Sequence, residues 1–141
     1  MGEWKNVPED INEWFGFVYR ITNTKNGKKY IGKKQFFKNE KRPPLKGKKR
    51  SRRVHKESDW KSYYGSSNEL KADLEKYGKE SFEREILDLT TCKWESAWKE
   101  LEWQIKEKVL FRDDYYNGII NIRLNAPPNS LKEKYKLARK V

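Results

Sequence analysis

The fold is decided by residues 15–32, which have the sequence FGFVYRITNTKNGKKYIG. The first seven of them are mostly aromatic or β-branched, a composition that favours a strand. The Asn-Gly pair at 26–27 is a strong signal for a tight hairpin turn, because both positions tolerate positive φ. Residues 28–32 then indicate a returning strand. The stretch therefore predicts an antiparallel hairpin with Tyr19 on one strand and Tyr30 on the other.

The rest of the pattern alternates helices with strands. The elements expected after the hairpin are a helix from a Ser66-Ser67 cap to about Tyr77, a strand over 82–89, a helix from a Thr91 cap to about Leu110, and a last strand over 119–124. The apolar residues expected on the core face of the second helix are Trp94, Trp98, Leu101, Ile105 and Val109. This order predicts an α+β domain in which helices flank a small antiparallel sheet. We expect the domain to span residues 1–125, with a short N-terminal lead-in that packs on it, and a basic tail to follow at 126–141.

The composition indicates a folded, basic protein. The 141 residues carry a net charge of +12, and 35% are hydrophobic, but 14% are aromatic, which is unusual for a disordered chain. Such a charge favours a polyanionic partner, DNA or RNA, although a merely soluble basic protein has the same composition. One cysteine and one histidine exclude a disulfide within the chain and a zinc site built on cysteines. No apolar run is long enough for a membrane span or a signal-peptide core, so we expect a cytoplasmic protein that does not bind membranes.

Residues 33–56 form a basic insertion with twelve Lys or Arg residues and one acidic residue, Glu40. Prolines at 43–44 and a glycine at 47 disfavour regular structure, so we predict a long loop. It is either a solvated surface loop or an arm that becomes ordered when it contacts DNA. The residues expected to contact DNA are Lys33, Lys48, Lys49, Arg50, Arg52 and Arg53.

Five sequence blocks occur in a fixed order along the chain. They are Phe17-Val18-Tyr19, Tyr30-Ile31-Gly32, residues 64–67, residues 76–82 with 85–87, and an acidic helix followed by Tyr116-Asn117. Together they resemble the GIY-YIG nuclease family, and within it the small phage enzymes related to homing endonucleases. The first block replaces the family's usual Gly-Ile-Tyr, and the second is intact. The resemblance covers about residues 15–125 and implies a metal-dependent DNA endonuclease that hydrolyses phosphodiester bonds.

The resemblance gives the two hairpin tyrosines catalytic roles. Tyr19 matches the family's tyrosine that acts as a general base toward the attacking water, or relays its proton, and Tyr30 shapes the same site. A free tyrosine has a pKa of about 10, so a nearby cation or metal would have to lower it. We expect the lysines at 28–29 and 33–34 to help supply that field.

The remaining roles fall on a cation, a carboxylate and an amide. In many members of the family an Arg follows the second block, and this chain has Glu40 at the corresponding distance along the sequence. Lys34 is the candidate for the role of that Arg, and His55 is a second candidate. For the metal ligand, the family pattern selects Glu100. The helical face instead favours Glu102, which it predicts to be half-buried. A single carboxylate suits Mg²⁺, or another divalent cation such as Mn²⁺, and no small-molecule cofactor is expected.

Asn117 matches the family's terminal asparagine, which supports the site through hydrogen bonds.

Two other classes of function remain open. A nucleic-acid-binding protein with weak or no catalytic activity would keep the same fold and the same basic surface. A basic RNA-binding protein of ribosomal type is a third class, but the aromatic hairpin and the Tyr-Ile-Gly block argue against it.

Overall fold

The computed structural model describes residues 3–50, 52–120 and 122–136, without the side chains at 40–42, 52–54 and 136. The strands of the described chain are β1 (Trp4–Lys5), β2 (Gly16–Asn23), β3 (Lys29–Gln35), β4 (Phe37–Arg42), β5 (Arg52–Glu57) and β6 (Phe82–Thr90). The α-helices are α1 (Asn68–Tyr77), α2 (Lys93–Lys106) and α3 (Asn129–Lys136). In these residues, no helix is both long enough and apolar enough to cross a membrane.

The main sheet has four strands in the order β1-β6-β2-β3. The predicted hairpin is confirmed, with β2 and β3 antiparallel and Tyr19 paired with Gly32. The predicted third strand is also confirmed, as β6 pairs antiparallel with the other side of β2. The N-terminal lead-in adds a short strand, β1, parallel to β6, so the sheet is mixed rather than purely antiparallel. The α+β class is therefore confirmed, and the sheet includes a short N-terminal strand that the sequence did not predict.

The two faces of the sheet bury two separate cores. Because side chains alternate along a strand, β2 sends Tyr19 to one face and Val18 to the other. The buried residues on the Tyr19 face are Trp4, Phe17, Tyr19, Ile21, Phe36, Trp60, Leu70, Phe82, Ile86 and Tyr116. The second core is smaller, and its buried residues are Val18, Ile31, Val109 and Tyr115.

The basic insertion is a β-hairpin and not the predicted loop. Strands β4 and β5 pair antiparallel from Phe37–Glu57 to Arg42–Arg52, and β3 itself extends to Gln35. Backbone pairing does not depend on side-chain charge, which is why the charge pattern was misleading. Ser58 fixes the base of the hairpin, since its N–H donates to the carbonyl of Phe36 at 2.8 Å and its hydroxyl donates to the carbonyl of Gln35. The residues between the strands, 43–50, are exposed.

Helix α1 agrees with the prediction, but α2 does not. Ser67 caps α1 by accepting from the N–H of Leu70, and Gly78 ends it with φ of 83°. Helix α2 is capped by Cys92 rather than Thr91 and ends at Lys106. Of its predicted core face, Val109 is buried but lies beyond the end of α2, while Trp98 is 37% exposed and Ile105 60%. The buried residues of α2 itself are Glu95, Ser96 and Gln104.

The polar face of α2 is buried because each of its side chains finds a partner there. The Ser96 hydroxyl bonds the Thr90 hydroxyl at 2.6 Å, and the Gln104 amide donates to the carbonyl of Ile31 at 3.3 Å. Burial of a polar group carries little cost when its hydrogen bonds are satisfied. Apolar periodicity cannot detect a helix that packs through such bonds.

The predicted strand at 119–124 is absent from the described part of that segment, which has no regular structure. The chain instead approaches β3 before residue 119. There the backbone N–H of Lys29 donates to the backbone carbonyl of Asp114, and the backbone N–H of Tyr116 donates to the backbone carbonyl of Lys29. The basic tail forms α3, and Lys134 and Tyr135 bind the carboxylate of Glu95 at 3.1 and 2.9 Å. The last five tail residues lie outside the described residues.

Candidate functional site

Three tyrosine rings meet on the face of the sheet where β2 and β3 pair. Tyr19 lies at the centre and is 1% exposed. Its ring centroid is 6.2 Å from that of Tyr30 and 5.9 Å from that of Tyr63, which it meets edge-on at 84°. The sequence predicted the first two residues of this tyrosine cluster. It did not predict Tyr63, which follows a short 3-10 turn at Trp60–Ser62.

A glycine on β3 makes room for the central ring. A Cβ added to Gly32 would lie 2.4 Å from the Tyr19 hydroxyl oxygen and 2.6 Å from Cζ of the same ring. No real side chain tolerates such contacts, so any larger residue at this position has to displace the ring. The intact Tyr-Ile-Gly block therefore has a steric explanation in the pairing of Gly32 with Tyr19.

The surroundings of Tyr19 keep its hydroxyl neutral. Burial raises its pKa well above the usual value, and the neighbouring Tyr63 and Tyr30 raise it further. The expected lysine field does not reverse this effect. Lys28 pairs with Glu69 at 2.7 Å, and Lys29 lies 3.5 Å from an acidic side chain of the last loop, Asp114. The expectation that these lysines lower the pKa of Tyr19 is wrong.

Lys34 contacts the tyrosine cluster through the ring of Tyr63. Its ammonium lies 4.1 Å from the ring centroid of Tyr63 and 2.7 Å from a carboxylate oxygen of Asp59. Hydrogen bonding to Lys34 lowers the pKa of Asp59. One aromatic ring therefore separates this ammonium from Tyr19.

The second candidate for that role, His55, lies elsewhere in the fold. It projects from β5, is exposed, and stacks on Phe37 with ring centroids 4.7 Å apart. Its Nδ1 is 3.4 Å from the amide oxygen of Asn39. Glu40 belongs to β4, and its side chain is outside the described residues. Of the two candidates, the geometry brings Lys34 to the tyrosines.

Glu100 faces the tyrosine cluster from α2. It is partly buried and lines a cavity of about 340 Å³ together with Tyr30, Ser66 and Asn117. Burial raises the pKa of Glu100, while Lys33 opposes the shift. The Ser66 hydroxyl, which the sequence did not indicate as a site residue, lies 3.3 Å from the Tyr30 hydroxyl.

Glu102 points away from this cavity. Its side chain is 50% exposed, and its carboxylate lies 3.6 Å from the ammonium of Lys99. The helical-face argument predicted Glu102 to be half-buried against the sheet; half of its side chain is exposed, and it is not among the residues that line the Glu100 cavity. The argument assumed an apolar core face for α2, whereas the buried residues of α2 are polar.

Asn117 closes the open edge of β3. Its side-chain oxygen accepts from the N–H of Ile31 at 3.0 Å, and its side-chain nitrogen donates to the carbonyl of Ile31 at 2.8 Å. Gln104 donates to the same carbonyl. The two amides hold β3 in place at the residue between Tyr30 and Gly32. The contact of Gln104 with β3 was not predicted from the sequence.

The residues expected to contact DNA fall into three groups. Lys33 is exposed beside the tyrosine cluster, near enough to Glu100 to affect its pKa. Lys48, Lys49 and Arg50 are exposed in the turn between β4 and β5. Arg52 and Arg53 belong to β5, but their side chains lie outside the described residues.

Comparison with known proteins gives one match. The family model described as "Putative endonuclease segE, GIY-YIG domain" matches residues 3–120. No curated protein and no solved structure matches the chain significantly. The matched span contains the tyrosine cluster, Glu100 and Asn117, and it ends before α3.

Proposed function

The chain belongs to the segE family of GIY-YIG endonuclease domains, and on this premise we propose that it cuts DNA by metal-dependent hydrolysis of a phosphodiester bond. The observation that carries the proposal is the approach of the Glu100 carboxylate to the tyrosine cluster. Glu100 shares a cavity with Tyr30, and its charge adds to the larger effect of burial in raising the pKa of Tyr30 and of Tyr19. A net charge of +12 favours encounter with a polyanion.

The residues at this cavity fit a single hydrated cation held by Glu100. No group of three carboxylate, imidazole or thiol side chains comes together in residues 3–50, 52–120 and 122–136. One carboxylate with space for water and a phosphate oxygen is the kind of site that Mg²⁺ takes. When bound, such a cation neutralises charge on the phosphate and makes its bound water more acidic. Because burial raises the pKa of Glu100, the carboxylate should bind a cation more tightly as the pH rises.

Tyr19 would act through its neutral hydroxyl. A phenol both accepts and donates hydrogen bonds, so its oxygen can accept from the attacking water while its own proton is directed to a neighbour. The neighbouring phenol is that of Tyr63, whose ring meets that of Tyr19 edge-on with the centroids 5.9 Å apart. A neutral relay agrees with the raised pKa of Tyr19, whereas a permanently ionised tyrosine does not.

Lys34 and the two amides would position the substrate and the strand. An ammonium has three donors, so Lys34 can contact a phosphate oxygen while it remains bound to Asp59. Asn117 and Gln104 keep Ile31 in register, and this fixes the neighbouring Tyr30. Preorganised groups of this kind stabilise charge in the transition state without further rearrangement.

The test is nicking of a supercoiled plasmid by the purified protein, with Mg²⁺ or with a chelator. We expect nicking with Mg²⁺ alone, and we expect Tyr19→Phe, which keeps the ring, to bind the plasmid without nicking it. A second candidate is a non-catalytic DNA-binding protein, which the near-complete burial of Tyr19 favours. Retarded migration without nicking, at every metal concentration, would establish that candidate instead.

A further inference from the structure

A second cavity opens beside Tyr63, separate from the one that Glu100 lines. Its volume is about 510 Å³. Four lysines line it and define the basic groove: Lys33, Lys34, Lys38 and Lys93. The lining comes from β3, from the base of the β4–β5 hairpin and from the first turn of α2.

The groove has a strong excess of positive charge. Asp59 is its one acidic lining residue, and its carboxylate already binds Lys34 at 2.7 Å. Lys38 and Lys93 are exposed, so their ammonium groups are accessible to a ligand. The groove also has aromatic walls, since Phe37 and Tyr63 line it together with the lysines. Lysines beside aromatic rings suit a nucleic-acid strand, whose phosphates bind cations and whose bases stack on rings.

The groove joins the candidate active site through the tyrosine cluster. Tyr63 lines the groove, Tyr30 lines the Glu100 cavity, and both rings contact Tyr19. Lys33 links the two cavities electrostatically, because it lines the groove and opposes the pKa shift of Glu100. A strand with its reactive phosphate at Glu100 therefore has a charged path leading away on the Tyr63 side.

We propose that the basic groove binds the DNA strand that is cut, on one side of the reactive phosphate, with Lys38 and Lys93 contacting its neighbouring phosphates. This inference rests on the proposed endonuclease function. It adds a substrate path that neither the hairpin turn nor the tyrosine cluster provides. It also gives the base of the β4–β5 hairpin a direct role as one wall of that path.

The experiment measures binding of a short fluorescein-labelled duplex by anisotropy over a series of KCl concentrations, in a chelator so that the DNA stays intact. The test variant is Lys38→Ala/Lys93→Ala. The matched control is Lys71→Ala/Lys76→Ala on exposed positions of α1, which removes the same charge. Each lost phosphate contact lowers the slope of log affinity against log salt by about 0.9.

We expect the salt slope of the groove variant to fall by close to twice this amount, because two phosphate contacts are lost. The control variant should keep the slope of the unmodified protein. Lys38→Arg/Lys93→Arg, which keeps both charges, should restore it. An unchanged slope in the groove variant, or an equal loss in both Ala variants, overturns the inference.

Nicking of plasmid by the unmodified protein is assayed in parallel. If the protein nicks DNA but the groove variant has the same salt slope as the unmodified protein, the groove inference fails and the proposed function stands. If the slope falls but no nicking occurs with any divalent metal, the proposed function fails and the groove remains a DNA-binding surface.

Discussion

Replacing Asn117 by Ala removes both hydrogen bonds that close the outer edge of β3. Its amide bonds the N–H and the carbonyl of Ile31, a residue that is fully buried. The carbonyl keeps a second donor, because Gln104 lies 3.3 Å away. The N–H has no such substitute among these contacts. The substitution therefore leaves one buried donor without a partner.

The free-energy cost follows from this accounting. An ordinary hydrogen bond contributes about 0.5–1.5 kcal/mol net, and a buried donor left without a partner costs about 1–3 kcal/mol. With one group orphaned and the other still bonded, we expect a loss of about 2–3 kcal/mol. For a domain of this size, that loss lowers the melting temperature by roughly 5–10 °C.

The assay is urea unfolding followed by tryptophan fluorescence, with the midpoint and the m-value fitted separately. We expect a lower midpoint with an unchanged m-value, because the unfolded chain exposes the same surface. Asn117→Asp is the matched variant. It keeps the acceptor for the N–H of Ile31 but turns an oxygen toward the carbonyl, so it should be at least as unstable as the Ala variant at neutral pH. An Ala variant within about 0.5 kcal/mol of the unmodified protein would refute the reasoning.

Four further predictions concern catalysis, stability and DNA binding. Tyr19→Phe should lower the cleavage rate by about 10²-fold or more, the range for lost proton transfer, with DNA affinity unchanged; cleavage at the normal rate argues against the relay. Glu100→Gln should end metal-dependent nicking, and Glu102→Gln should not; the reverse result would move the metal to Glu102. Because burial raises the pKa of Glu100, its ionised form destabilises the fold at pH values above that pKa, so Glu100→Gln should also raise the melting temperature at neutral pH. Replacing the three basic residues at 48–50 by Ala should weaken DNA binding and reduce its salt dependence, and an unchanged salt slope would make that turn a solvated surface only.

The elements that could be predicted from the sequence are those with local causes. The β2–β3 hairpin follows from an Asn-Gly turn between two runs of strand-forming residues. Helix α1 follows from its Ser67 cap and its Gly78 end. Each signal lies within a few residues of the structure it produces, so tertiary contacts had little to override.

The features that were missed depend on contacts between distant residues. The buried face of α2 is polar because Gln104 meets the backbone of Ile31, 73 residues earlier. The β4–β5 hairpin is fixed at its base by Ser58, which the charge pattern did not indicate. Tyr63 reaches Tyr19 from a short 3-10 turn, an element with no periodic signal.

The candidate site was predicted unevenly for the same reason. The placement of Tyr19, Tyr30, Glu100 and Asn117 was predicted by resemblance, since blocks of sequence carry it. Periodicity alone favoured Glu102, which does not line the cavity beside Tyr30. Tyr63 and Ser66, which contact Tyr19 and Tyr30, had no sequence signal that marked them as site residues.

The pairing of the short strand β1 has a consequence for when a newly synthesised chain can fold. Trp4 packs on Tyr19, with ring centroids 5.5 Å apart, yet β1 pairs with residues 84 and 85, about 80 positions later. Asn117, which bonds the edge of β3, is synthesised later still. Chains are synthesised at about 5–20 residues per second, and such distant pairings form only when both segments have emerged. A nascent chain therefore carries its tyrosines for several seconds before the candidate site around them can assemble, so an unfinished chain has the residues of that site without their geometry.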